Sequence, residues 1–178
     1  MCLPLADIPT LPKMRITQSE KICNMITREP LNSDWKTIAA LADLSVTHIS
    51  GAPKQAGWVQ KRLEFEGTRL HHVIESAGRV VGYGSIENPA GDNAEGYRLF
   101  LVLEWTDKSA IAIAEELLAR LREDVERLKI TAVWVREFAE DRPFIDFLLS
   151  RGFDITKEYD YEGQALINLQ ATEQFLAA

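Results

Sequence analysis

An α/β fold with a mixed central sheet is predicted by three features of this sequence. The first is a strand–helix–strand pattern beginning at Gly96. Tyr97-Arg98-Leu99-Phe100-Leu101-Val102-Leu103 is apolar at nearly every position, which suits a strand buried on both faces. Ala110, Ala114, Leu117, Leu118, Leu121, Val125 and Leu128 then recur at spacings of three and four, forming one wide apolar helix face. Thr131-Ala-Val-Trp-Val-Arg136 follows as a second apolar strand, so the crossover should be right-handed and the two strands parallel. The second feature is a pair of strands, Leu70 to Glu75 and Arg79 to Ile86, joined by Ser76-Ala77-Gly78, a strong hairpin signal. The third is a closing strand pair, Phe153 to Tyr161 and Gln164 to Leu169. One parallel unit among antiparallel hairpins makes the sheet mixed.

Composition narrows the class. The chain has 178 residues, enough for one domain with a sizeable core, and 46% of them are hydrophobic against 26% charged. Its 27 acidic and 20 basic side chains leave a net charge of −7 with no Lys/Arg run, which argues against a nucleic-acid footprint or an anionic membrane partner. An acidic surface would suit a cationic substrate, although solubility explains it equally well. Cys2 and Cys23 are the only cysteines, so neither a disulfide framework nor a metal knuckle is indicated. No apolar run approaches ~18 residues and no signal-peptide pattern is seen, so a cytoplasmic protein is expected.

In chain order, Met1 to Glu20 carries Pro4, Pro9 and Pro12 without a sustained period and reads as an extended arm. Ile22 to Thr27 reads as the first strand. Asn32-Ser33-Asp34 supplies a helix start, with Trp35, Ile38, Ala39, Leu41 and Ala42 as its buried stripe. Ser45 to Ala52 is a loop. A second amphipathic helix from Pro53 carries Trp58, Val59, Leu63 and Phe65 and ends at Gly67. A polar loop, Asn88 to Asn93, leads into the central strand. Beyond the βαβ unit, Asp141 is placed to cap a short helix over Phe144 to Ser150, with Pro143 just inside it. The domain is therefore expected over residues 21–178, with residues 1–20 as the arm.

A helix that starts at the carboxyl end of a buried strand points its first N–H groups into open space, and those donors favour an anion. Here they would be the amides of Ser109 to Ala114, unless Ser109 or Asp107 caps them. Two patterns carry no chemistry. Gly82-Tyr-Gly84 sits inside a strand and lacks the third glycine of a dinucleotide fingerprint. His71 and His72 are adjacent on a strand and face opposite sides, so no metal is expected there.

The element order, with Gly78-Arg-Val-Val-Gly-Tyr-Gly84 on one strand and Phe147-Leu-Leu-Ser-Arg-Gly-Phe153 after the last long helix, resembles the GNAT superfamily of acyl-CoA-dependent N-acetyltransferases. The resemblance spans Ile22 to Leu169 and implies a mixed sheet with a splayed pair of strands, flanked by helices. It implies transfer of an acetyl or other acyl group from acyl-CoA to a small-molecule or peptide amine. In that family a Q/R-x-x-G-x-G/A turn holds the pyrophosphate of coenzyme A through backbone amides. The corresponding residues are Ser109, Ala110, Ile111, Ala112, Ile113 and Ala114, with Lys108 placed to restore a positive charge. Asp141 stands where the family often has asparagine. Leu148 stands where many members carry a tyrosine that protonates the departing thiolate.

Amide formation needs a neutral amine, so a carboxylate or a water chain must take its proton. Glu104 and Glu137 end the two central strands, where such sheets open to ligands, and are the candidate bases. The amides near Leu103 and Trp105 are candidates to polarise the thioester carbonyl. The altered hexad and Leu148 equally suit a catalytically inactive module of the same fold, such as the degenerate half of a tandem pair. The apolar ending Gln174-Phe-Leu-Ala-Ala178 suits a chain that once continued, or a subunit contact in a homodimer.

Overall fold

The computed structural model describes residues 25–44, 68–88 and 96–176. The predicted arm, the helix from Pro53 and the polar loop after Asn88 lie outside them. Seven strands form one sheet: β1 (Met25–Arg28), β2 (Thr68–Ser76), β3 (Arg79–Asn88), β4 (Tyr97–Leu103), β5 (Val133–Phe138), β6 (Phe153–Tyr161) and β7 (Gln164–Ala171). Their spatial order is β1-β2-β3-β4-β5-β7-β6. The described α-helices are α1 (Trp35–Leu44), entered through a 3-10 turn at Asn32–Asp34, α2 (Ala110–Arg127), α3 (Arg142–Leu149) and the single turn α4 (Glu173–Leu176).

The β2–β3 hairpin turns on Ala77 and Gly78, both at positive φ (50° and 74°), the geometry that matches strand twist in a two-residue turn. Alternate residues of β3 then face opposite layers. A Cβ at Gly82 would meet Ile113 Cγ2 at 2.5 Å, and one at Gly84 would meet Leu121 Cδ1 at 3.1 Å, so these glycines let α2 lie close against the strand. Tyr83, between them, points the other way and packs on Trp35 of α1 at 5.6 Å. His72 and His71 divide likewise. His72 Nε2 lies 2.8 Å from Asp124 on α2, and the His71 ring sits 6.2 Å from Trp35.

The larger core lies between the sheet and α2, α3 and α4, and a smaller one between the sheet and α1. Every residue of the predicted apolar helix face is buried except Leu128, which is 43% exposed because α2 has ended at Arg127 and the chain reverses at Lys129 with φ 54°. The second central strand starts at Val133 rather than Thr131. The preceding carbonyl, of Ala132, instead accepts the Tyr97 amide at 2.9 Å.

The apolar ending is described through Leu176. Phe175 is buried, 4.8 Å from Phe153, and Arg122 donates to the carbonyls of Phe175 and Gln174 at 2.7 Å each. Phe175 is thus packed within its own domain.

Candidate functional site

All neighbouring strands are antiparallel except β4 and β5. That parallel pair is in register only at Tyr97 with Val133 and Arg98 with Trp134. Beyond those residues no pairing holds β4 to β5, although each stays bonded to its other neighbour as far as Leu103 and Phe138. The sheet therefore splits into a mouth at the carboxyl ends of its two central strands, with α2 starting beside it.

The loop from β4 to α2 builds the wall of this mouth. The Glu104 carbonyl accepts from the Asp107 amide and the Asp107 carbonyl from the Ala110 amide, each at 3.0 Å; the Ser109 carbonyl accepts from Ile113 at 3.0 Å. The amides of Ile111 and Ala112 have no acceptor among the described residues. Two adjacent open donors at the first turn of an 18-residue helix match what a phosphate group requires. The fit has an opponent on the spot. The Asp107 carboxylate accepts the Ser109 amide at 2.7 Å and the Ser109 hydroxyl as well, so one anion already occupies part of the loop. Ser109 thus stands at the N-cap without capping through its own side chain.

The remaining predicted cofactor residues separate by role. Lys108 is exposed and Ile111 is 49% exposed, whereas Ala110, Ile113 and Ala114 are buried in the core beneath the helix. Ala112 is half-buried. Leu103 is fully buried at the end of β4, opposite Gly82. The Trp105 ring is buried against Phe144 at 5.4 Å and Phe147 at 5.7 Å, tying the end of β4 to α3 and closing that side of the mouth.

On the β5 side, Glu137 is buried on the same face as Val133 and Val135, and its Oε1 accepts the Phe138 amide at 3.1 Å. Glu104 is exposed and receives a hydrogen bond from Thr106 Oγ1 at 3.3 Å. Asp141 occupies the N-cap of α3 with no exposure, and neither of its oxygens closes a hydrogen bond of full geometry. Burial pushes its carboxyl up to about 6; the Phe144 amide tempers the rise and Glu140 adds to it. Leu148 is fully buried, and its hydrocarbon side chain has no proton to donate. Among the described residues no group of three or more His, Cys, Asp or Glu side chains converges on a metal position, and no helix is long and apolar enough to cross a membrane.

The Asp107–Ser109 lock has a local signal, an aspartate two residues before a serine at a helix start. Another feature has no such signal. Arg98, Trp134, Arg136, Tyr159 and Lys157 alternate cation and ring across β4, β5 and β6.

A seven-stranded mixed sheet, parted between two parallel central strands with a helix N-terminus at the opening, is the fold of the GNAT N-acetyltransferases. Solved structures bear this out. A provisionally named acetyltransferase from Salmonella typhimurium, determined with acetyl-CoA as its cofactor, superposes with a TM-score of 0.66 at 18% identity, covering 84% of this chain and 94% of its own. A ribosomal-protein-alanine N-acetyltransferase from Brucella melitensis gives 0.63 at 20% identity, over 82% and 98%. A spermidine/spermine N-acetyltransferase from Vibrio cholerae gives 0.62 at 12%, over 88% and 98%. At these identities the likeness is one of fold. No protein-family model matches the sequence, and no curated protein sequence matches it.

Proposed function

We propose that this protein is an N-acetyltransferase that moves an acetyl or other acyl group from acyl-CoA to an amine. One observation carries the reading: the open amides of Ile111 and Ala112 stand beside a mouth where parallel strands part. The loop from Lys108 to Ala114 would hold the pyrophosphate, with Ile111 and Ala112 as donors and Lys108 as the nearby cation. The backbone at Leu103 and Trp105 would orient the thioester. Asp141 would border the cofactor from α3. When bound, acyl-CoA supplies the activated acyl group; the C–S bond breaks, an amide C–N bond forms and the amine proton leaves to a base.

Glu137 and Glu104 are the two carboxylates that end the strands at the mouth. Glu104 reaches solvent, so it can pass a proton outward directly, whereas buried Glu137 would need a water chain. With Leu148 donating nothing, the departing thiolate takes its proton from water. Rate then rests largely on positioning. The domain comprises residues 21–178 with residues 1–20 as an arm, and the protein acts in the cytoplasm on a small-molecule or peptide amine, without nucleic acid or membrane. A homodimer remains part of the proposal.

The Asp107 carboxylate in the loop, Trp105 against α3 and Leu148 favour a second reading, a module that keeps the fold without chemistry. Calorimetry with acetyl-CoA and desulfo-CoA, paired with thiol release on a panel of amines, separates the two. Micromolar binding with turnover supports the transferase, binding without turnover supports the module, and no binding rejects the cofactor in either reading.

A further inference from the structure

The sheet face that carries α1 also carries a ladder of cations and rings. Arg98 Cζ lies 4.5 Å from the Phe100 ring centre and 5.3 Å from that of Trp134. Arg136 Cζ follows at 5.6 Å from Trp134 and 6.0 Å from Tyr159, and Lys157 Nζ at 5.3 Å from Tyr159. The first rung has a carboxylate nearby, because Glu87 stands across the strand pair from Arg98 and binds Arg69 at 3.2 Å. The later rungs do not. Among the described residues neither Arg136 nor Lys157 has an ion-pair partner, and Glu158 and Asp160 lie on the opposite face of β6 by strand alternation.

Arg136 is half-buried, and its only hydrogen bond among the described residues runs from Nε to Asn168 Oδ1 at 3.3 Å. Its Nη groups therefore have donors to spare, held in place by a ring on each side. Beside it, Trp134 Nε1 is buried with no acceptor among the described residues. No nitrogen of Arg136 is among the buried polar atoms without a partner, so its Nη groups stay open to solvent, where a ligand can reach them. A carboxylate is the matching anion, since a guanidinium fork binds it through two parallel bonds. Although the chain carries a net charge of −7, Arg136 and Lys157 on this face have no counter-ion among the described residues. Arg136 lies two residues before Phe138 at the mouth, roughly 7 Å along the strand. That separation suits one molecule with an amine at the mouth and an anion on the ladder.

We propose that Arg136, clamped between Trp134 and Tyr159, binds a carboxylate on the acyl acceptor, making the acceptor an amino carboxylate rather than a polyamine. The assignment rests on the transferase reading. A polycation would instead meet Arg136 and Lys157 as like charges.

The test uses the full chain with acetyl-CoA and three sets of acceptors: ω-amino carboxylates of increasing length, their carboxamides, and spermidine. Thiol release should show kcat/KM for the best carboxylate at least ~10-fold above its carboxamide and above spermidine. Arg136→Gln should raise KM for the carboxylate roughly 10- to 100-fold, leave the carboxamide unchanged and keep acetyl-CoA affinity, while Arg136→Lys recovers part of the loss. Equal use of carboxylate and carboxamide, a preference for spermidine, or an Arg136→Gln variant with unaltered selectivity would overturn the proposal. Should no amine turn over, titration with N-acetyl-4-aminobutyrate decides separately. Binding lost in Arg136→Gln upholds the carboxylate site while the transfer reading fails; binding that ignores the substitution overturns the site itself.

Discussion

Replacing Asp141 by asparagine tests the energetic state of the mouth directly. The carboxyl has no exposure, and burial moves it from 3.8 to about 6. Between those values the folded protein holds a proton that the unfolded chain has released, so stability is highest at low pH and declines as pH rises towards 6. The separation is about two pH units at about 1.4 kcal/mol each, so ionised Asp141 costs the fold about 3 kcal/mol at pH 7.5. Asparagine nearly matches the neutral carboxyl in shape and removes that cost, but leaves an amide short of partners at about 1 kcal/mol. The variant should therefore be about 2 kcal/mol more stable than the parent at pH 7.5, raising Tm by roughly 4–8 °C, with no advantage at pH 4. Urea unfolding of both proteins at pH 4, 6 and 7.5 provides the measurement. Taking the difference between them cancels the opposite trend of Asp34, whose hydrogen bond from Arg28 holds it below the ordinary carboxylate range. A gain equal at all three pH values, or a loss at pH 7.5, would refute the assignment of a desolvated carboxyl.

Other substitutions probe the loop and the sheet. Asp107→Asn should tighten acetyl-CoA roughly fivefold at low salt by removing an anion from the pyrophosphate loop, and the gain should shrink at high salt; calorimetry at two ionic strengths reads it. Of Glu104→Gln and Glu137→Gln, the one that removes the true base should lose most of kcat with little change in KM, and a pH–rate profile should lose its lower limb. Gly82→Ala should destabilise the fold by about 1–3 kcal/mol in chemical unfolding, because its Cβ would enter Ile113 at 2.5 Å.

Local pattern carried much of the architecture. The apolar runs of β4 and β5, the helical period of α2 and the Ala77-Gly78 turn depend on neighbours within a few residues, and periodicity reports those directly. The parallel direction of β4 and β5 followed from the helix between them. The anion-facing helix start was legible for the same reason, since open amides belong to any helix terminus. Where the α2 face ended was less legible: Leu128 continues the period, but the chain has already turned.

Tertiary structure decided what those elements do together. Asp141 is an ordinary capping residue in sequence; only the packing of α3 removes its water. Trp105 enters the sequence reading through its backbone amide alone, and only folding brings its ring against Phe144 and Phe147. Arg136 and Tyr159 are 23 positions apart, on strands that β7 separates in the sheet, and their meeting depends on the order β5-β7-β6. Periodicity tells which face of a strand a residue occupies, but cross-strand neighbours are set by pairing order and register, which are properties of the folded chain as a whole.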